Sequence, residues 1–381
     1  MRVLFVDRSS AISMWTVVTP VTQALIESGH QVCWVKMCTP SLPDHCNLPG
    51  IDLRSIHVSD FAIPASFIPQ MLQFSPKFRD LLCEWKPDIV HTHFAVPGII
   101  ARWLAKQAGC RVVSTQHELF GSMNPLLRWG VRFTERYVDV ITYVSKIAAH
   151  SYGLDGQTLA NHGKAVVPRH VVIHNSVNYD EILSVVSNAP ERVPHKLVCV
   201  GRMVKLKGQE TLIRALPRVI ATHPQVHLTL IGAGSDESRL RKLVHDLGLQ
   251  DHVRFAGWLS REDTLREMAT AQAVVIPSTQ EGFGLVLVEA ILCDTTVVAS
   301  DIPVFREVAG DGGGEVLWFP HGNAQALAVE LINAMDNGIG SQVHDASREL
   351  NVELRYSVER MSMAYLDVYD DLLRRKTPRG S

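Results

Sequence analysis

The sequence predicts an α/β protein built from two doubly wound parallel-sheet domains. Short apolar runs alternate with helical stretches along almost the whole chain, which is the pattern of strands buried on both faces by crossover helices. The alternation stumbles across the polar residues 153–170 and again across a polar stretch from Ser187 to His195, with Pro190 and Pro194, and then restarts, which places the domain boundary around 176–194. A length of 381 residues also exceeds what one core ordinarily fills. The domains are therefore set at 1–176 and 177–356, with a last helix at 357–375.

The elements follow in order. Val3–Val6 reads as a buried strand, Trp15–Ser28 as a helix stopped by Gly29, and Gln31–Val35 as the next strand. Asp88–His91 follows Pro87 as a strand, then Val112–Thr115, a helix at about Leu126–Tyr137, and Val138–Val144. Residues 153–170 are polar. The second series runs KLVCVG, helix Glu210–Ala221, HLTLIG, helix Glu237–Leu247, VRFAG, helix Arg261–Ala271, AVVIP, helix Leu285–Leu292 and TVVAS. From Ser357 to Leu373, Val358, Met361, Tyr365, Val368, Tyr369 and Leu372 form an apolar stripe at helical spacing.

Composition excludes several classes. The chain is 46 % hydrophobic and 20 % charged with a net charge of -2, which argues against disorder and against a nucleic-acid binder. Residues 1–175 carry 16 Lys+Arg and 12 Asp+Glu, or +4, leaving 21 and 27, or -6, for the rest. A mildly basic first half suits an anionic partner or a membrane surface. The seven cysteines lack a C-x-x-C pair and read as small, reduced core residues of a cytoplasmic protein. The N-terminus is charged by Asp7, unlike a signal peptide, and no apolar run spans a bilayer, so any membrane contact is peripheral, at the inner face.

Ligands of open parallel sheets sit beyond the carboxyl ends of the strands. After KLVCV come Gly201-Arg202-Met203-Val204-Lys205-Leu206-Lys207-Gly208, where Arg202 and Lys207 offer two cations for phosphate oxygens. After AVVIP comes STQEGFGLVLVEA, Ser278 to Ala290. There Glu281 precedes a glycine turn, and a helix starting near Gly284 presents free N–H groups to an anion. Glu289 lies one turn past Leu285 on the same face, where an acid reaches ribose hydroxyls. Either acid alone reads as a surface residue; their positions after strands, with the cationic loop after another, favour a site.

VGRMVKLKG followed by EGFGLVLVEA resembles the paired signature of the retaining glycosyltransferases of family four, which have the two-Rossmann-domain GT-B fold. ALIESGHQV, PDIVHTHF, VVSTQHELFG, VIHNSVN and YSVERMSMAYLDVYDDLL fit the family's other landmarks, so the resemblance covers nearly the whole chain. It implies two domains facing a cleft, with the last helix crossing back to the first. It implies that Arg202 and Lys207 bind the diphosphate of a nucleotide-sugar, and that Glu281 and the backbone at Phe283, Gly284 and Leu285 hold donor sugar and phosphate. Glu289 would bind the ribose, and Gly257, Trp258 and Leu259 would lie near the base. His117 would contact the donor sugar beside the reacting carbon, so that His117, Arg202, Lys207 and Glu281 make the catalytic set. Ser9, Ser10 and His93 fall on the acceptor side, Ser9 and Ser10 standing where the family often has a glycine pair.

The implied activity is transfer of a sugar to a saccharide or lipid-linked acceptor in cell-surface polysaccharide synthesis, without metal or other cofactor. No Asp-x-Asp triplet occurs to chelate a metal–diphosphate. His91 and His93 alternate on one strand, yet no acid or cysteine cluster joins them; one should pack and the other edge the cleft. Gly232-Ala233-Gly234 lacks the third glycine of a dinucleotide loop. Arg128, Arg132 and Arg136 recur every four residues beside Leu127, Trp129 and Phe133, as a solvated helix face or a membrane-surface patch. A nucleotide-sugar epimerase on the same scaffold, or a non-catalytic sugar- or lipid-binding protein, stands as the alternative.

Overall fold

The computed structural model describes residues 1–8, 12–38, 50–59, 67–155, 168–310, 316–336 and 354–374. The chain divides into two compact units, Met1–Ser176 with Val358–Ser381, and Val177–Ser357.

Unit 1 holds strands β1 (Arg2–Arg8), β2 (Gln31–Cys38), β3 (Asp52–His57), β4 (Ile89–His93), β5 (Arg111–Gln116), β6 (Val140–Tyr143) and β7 (Arg169–Val172). They form one parallel sheet in the order β3-β2-β1-β4-β5-β6-β7. Val3 to Val6 are fully buried, as a central parallel strand covered on both faces requires. The order reverses between β1 and β4, which is where a doubly wound sheet opens a crevice at its carboxyl edge.

The helix Val358–Arg374 belongs to this unit and packs on the helix Ile12–Glu27. Its stripe of Met361, Tyr365, Val368, Tyr369 and Leu372 is buried, as the periodicity predicts. Polar tips on the same face tie it down: the Tyr369 hydroxyl lies 2.7 Å from His91 Nδ1, the Tyr365 hydroxyl 3.1 Å from Thr115 Oγ1, and Arg169 meets Asp371 at 2.8 Å.

Unit 2 repeats the plan with β8 (Lys196–Val200), β9 (His227–Ile231), β10 (Val253–Gly257), β11 (Ala273–Ile276), β12 (Thr296–Ser300) and β13 (Val316–Phe319). All are parallel, in the order β10-β9-β8-β11-β12-β13, so its reversal lies between β8 and β11. Leu197, Leu228, Leu230 and Val275 from the strands pack with Leu212, Leu216, Val219, Leu327 and Leu331 from helices to form one core.

Two readings change. The stretch around 176–194, read as the domain boundary with no element of its own, contains the helix Tyr179–Ser187, capped by Asn178 with Asp180 and Glu181 in its first turn. The cysteines are not all core residues, since Cys83 is exposed. The chain's two passages between units pair with each other: Val177 bridges to Ser357, and its N–H donates to the Tyr356 carbonyl at 3.0 Å.

Candidate active site

In unit 2 the cationic loop and the acidic stretch follow β8 and β11, the two strands that flank the reversal, although β9 and β10 separate them in sequence. Their junction is tight. Gly208 has φ +68°, a left-handed conformation, and a Cβ there would lie 1.9 Å from the Pro277 carbonyl oxygen. Only glycine satisfies both conditions. Because Gly208 sits against Pro277, the preceding Lys207 reaches the acidic stretch: its Nζ donates to Glu281 Oε1, to which Ser278 Oγ also donates at 2.9 Å. A backbone link, Thr279 N to Leu206 O (2.8 Å), and a side-chain link, Gln209 Nε2 donating to Arg202 O (3.0 Å), hold the loop in place. Arg202 itself is exposed.

Beyond Glu281 the chain turns through Gly284, at φ +94°, where a Cβ would lie 2.5 Å from the Phe305 ring. The helix Leu285–Leu292 starts there, with no side chain capping its N–H groups, so its positive end opens toward the same edge of the sheet. Phe283 is buried edge-on against Tyr356 at 5.3 Å, and Leu285 is half-buried.

Glu289 is buried and accepts from Arg261 Nη1 at 2.7 Å, while Arg261 Nε donates to Glu181 Oε2 at 2.8 Å. Burial lowers the Arg261 proton affinity, but Glu289 and Glu181 together raise it beyond its ordinary value. Sequence reasoning found Glu289 and missed Arg261, whose only signal is its place at the start of a helix capped by Ser260. Gly257 ends β10, followed by the exposed Trp258 indole and the half-buried Leu259. The Gly232-Ala233-Gly234 turn is a packing feature: Met203 N donates to the Ala233 carbonyl at 2.9 Å, which shapes the cationic loop.

In unit 1 three imidazoles lie in a row along β4 and just past the end of β5, with the rings of His93 and His117 stacked. His91 and His93 are 4.2 Å apart by ring centroids, and His93 and His117 are 5.2 Å apart. His91 uses both nitrogens, with Tyr369 and with Thr115 Oγ1, each at 2.7 Å, so it has no lone pair to offer a metal. His93 Nδ1 lies 2.9 Å from His117 Nε2, and its buried Nε2 has no partner. The expectation that one of His91 and His93 packs while the other edges a cleft is corrected: both are buried. Burial pushes His91 and His117 down to about 3, His91 further through its neighbour His117, and pushes His93 well below the usual range. All three are neutral at physiological pH, which suits hydrogen bonding rather than proton transfer.

Asp7, at the end of β1, was missed. It is buried, and that burial raises its carboxyl to about 7 against the opposing effects of the Arg8 N–H and Lys36. Ser9 and Ser10 lie outside the described residues. Among the described residues no group of three or more His, Cys, Asp and Glu could hold a metal ion.

Two family models match the chain. Glycosyltransferase Family 4 matches residues 14–181, and Glycosyl transferases group 1 matches residues 180–349. The chain belongs to the family-four, group 1 glycosyltransferases. This glycosyltransferase is 25 % identical over 375 residues to the N-acetyl-alpha-D-glucosaminyl L-malate synthase of Bacillus anthracis, covering 93 % of each chain. It is 28 % identical over 304 residues to the GDP-mannose-dependent monoacylated alpha-(1-6)-phosphatidylinositol monomannoside mannosyltransferase of Corynebacterium glutamicum, covering 74 % of this chain and 76 % of that one. Among solved structures, sucrose-phosphate synthase of Thermosynechococcus elongatus matches with a TM-score of 0.78 at 20 % identity, over 98 % of this chain and 99 % of that one. The fold of this glycosyltransferase is GT-B.

Proposed function

We propose that this glycosyltransferase moves a sugar from a nucleotide-sugar to a hydroxyl of a saccharide or lipid-linked acceptor with retention of configuration, in the synthesis of a cell-surface polysaccharide or glycolipid. The observation that carries the reading is the convergence of Lys207, Glu281 and the Gly284 helix end at the reversal between β8 and β11. Such a site joins a cation and a helix N-terminus, which suit a diphosphate, to a carboxylate, which suits sugar hydroxyls.

In this reading Arg202, Lys207 and the N–H groups at Phe283, Gly284 and Leu285 hold the diphosphate. Glu281 takes the donor sugar, Glu289 the ribose with Arg261 fixing its carboxylate, and Gly257-Trp258-Leu259 the base. The bond from the sugar's anomeric carbon to the diphosphate oxygen breaks with its electron pair going to that oxygen. The acceptor oxygen bonds to the same carbon on the same face, and its proton passes to the departing oxygen. Lys207 and the helix end stabilise the developing charge without reorganisation, so the reading requires no metal. A neutral His117 positions the sugar, with Ser9 and Ser10 toward the acceptor.

Two relatives support the substrate classes by name: one is GDP-mannose-dependent and acts on a phosphatidylinositol mannoside, and the other makes a glucosaminyl malate. The reading places the enzyme in the cytoplasm with peripheral contact to the membrane through unit 1; among the described residues no helix is long and apolar enough to cross a membrane. The test is incubation with nucleotide-sugars and a lipid extract in the presence of a chelator, followed by NMR of the product's anomeric carbon. A retained configuration and no loss on chelation are expected. Conversion of the donor with no acceptor present would instead indicate an epimerase, and an inverted product would overturn the mechanism.

A further inference from the structure

We propose that Tyr356 is a positioning residue of the donor site: its ring and hydroxyl lock the Phe283–Gly284 turn against the helix Pro303–Ala309, and so fix the N–H groups that meet the diphosphate. The inference rests on the proposed reading of the donor site and adds to it a residue far along the chain from the others placed there.

The need for such a residue is written in the turn. Between Glu281 and Leu285 the chain reads Gly282-Phe283-Gly284. Glycine has no side chain to pack, so Phe283 is the one side chain by which this turn can be anchored. Gly284 holds φ +94°, and the helix that follows it, Leu285–Leu292, has no side-chain cap. The first N–H groups of that helix therefore point wherever the turn aims them. Donors stabilise a developing charge well only when they are held in place beforehand, and small displacements are costly.

Tyr356 supplies the anchor. Its ring meets that of Phe283 at 5.3 Å between centroids and 84° between planes, the edge-to-face arrangement that aromatic pairs favour. Both side chains are buried. Tyr356 is fixed in its turn. Its hydroxyl donates to the Val308 carbonyl at 3.0 Å, and burial pushes that hydroxyl up to about 12, which keeps it a donor at neutral pH. The neighbouring Arg355 guanidinium lies 4.9 Å from the ring centroid and donates to the Glu307 carbonyl at 2.9 Å. The Tyr356 carbonyl accepts from Val177 N at 3.0 Å.

The contacts form a closed circuit. Val308 lies on the helix Pro303–Ala309, which also carries the buried Phe305. The Gly284 backbone sits on that same Phe305 ring, close enough that a Cβ would come 2.5 Å from it. One helix thus holds Gly284 directly through Phe305 and holds Phe283 indirectly through Val308 and Tyr356. Two contacts on adjacent residues fix the turn in orientation as well as in place. Without the Tyr356 ring the turn keeps the Phe305 contact and loses the Phe283 one, so it tilts and its N–H groups lose their aim.

The test compares the full chain with Tyr356→Leu, Tyr356→Phe and Phe283→Leu. The probes are UDP, GDP and ADP, titrated by calorimetry, and the matching nucleosides, which carry no phosphate, followed by ligand-observed NMR. For the diphosphate that binds the parent, Tyr356→Leu should weaken binding about tenfold, the loss of one charge-assisted hydrogen bond, and should change the nucleoside's affinity by less than about twofold. Tyr356→Phe keeps a ring beside Phe283 and should stay within about threefold of the parent. Phe283→Leu should cost what Tyr356→Leu costs, and the double variant no more than either, because both act through one contact. If Tyr356→Leu does not fold, Phe283→Leu breaks the same contact from the other side and carries the test. Equal loss of nucleoside and diphosphate would make Tyr356 a merely structural residue and overturn the proposal. So would additive losses in the double variant, or diphosphate binding by Tyr356→Leu that matches the parent; in each of these cases the donor site itself stands. A parent chain that binds no nucleoside diphosphate overturns the donor reading, and this inference with it.

Discussion

Acidification from pH 7 to pH 5 should destabilise unit 1 by an amount that its buried charges set. His91 and His117 are held at about 3 in the folded chain against 6.5 for a free imidazole. Groups depressed in this way add stability that is present above 6.5 and lost as the pH falls toward 3. At pH 5 the unfolded chain binds nearly one proton at each site and the folded chain almost none, so each histidine removes about 2 kcal/mol between pH 7 and pH 5. Asp7 acts in the opposite sense. Raised from 3.8 to about 7 by burial, it adds stability that is present below 3.8 and lost as the pH rises through 7. Over the same interval it returns about 2 kcal/mol. The parent chain should therefore lose about 2 kcal/mol, with His93 adding to the loss, and Asp7→Asn should lose about 4 kcal/mol. Either is a large part of an ordinary domain's stability. His30 and His170, also depressed by burial, act equally in both proteins and cancel in the comparison. The assay is urea unfolding at the two pH values, read by pulse-labelling mass spectrometry of peptides spanning β4 and β5, which isolates unit 1. Identical pH dependence in the parent and Asp7→Asn would refute the burial argument for Asp7. A parent chain more stable at pH 5 would refute it for the histidines.

Other outcomes concern unit 2. Lys207→Ala should lower kcat/KM by about 30- to 900-fold, the loss of about 2–4 kcal/mol of transition-state stabilisation, and Arg202→Ala should act in the same direction; turnover near the parent's in either variant would remove it from the diphosphate. Gly208→Ala should destabilise unit 2 by about 2 kcal/mol or more and lower activity with it, because the left-handed backbone and the Pro277 carbonyl both resist a Cβ; unchanged melting and activity would show that Lys207 is not placed by this contact. Glu289→Gln should weaken free-nucleotide binding more than Glu281→Ala does, and Glu281→Ala should impair transfer more; a calorimetric titration of each variant with donor and with nucleotide alone would expose a reversed assignment.

Much of the fold was legible because buried parallel strands are written as unbroken apolar runs. β1, β8 and β11 are such runs. β3 escaped because only Ile56 among its residues is buried, and β7 because all four of its residues are half-buried. Both are edge strands of unit 1, where one side lacks a neighbour and the apolar signal fades. The helix Tyr179–Ser187 carried its cap and first-turn acids in plain view, but its polar surroundings hid it.

The candidate site was legible in its residues and not in its contacts. The positions of Glu281 and Glu289 after AVVIP marked them. That Glu281 meets Lys207 depends on β8 lying beside β11, a fact of topology that no local spacing encodes. The Arg261 pair with Glu289 is hidden for the same reason. In unit 1, the alternation of His91 and His93 placed them on one face, but only the return of Tyr369 from the last helix explains why His91 is fully bonded.

The most direct test of the central claim is calorimetric titration of the full chain with UDP, GDP, ADP and their common sugar conjugates, without added metal. The account requires that one nucleotide bind in the micromolar range, that its sugar conjugate bind through the same site, and that Lys207→Ala weaken both while the variant remains folded. A folded protein that binds none of them, or one whose binding is indifferent to Lys207, would contradict a donor site at the reversal between β8 and β11.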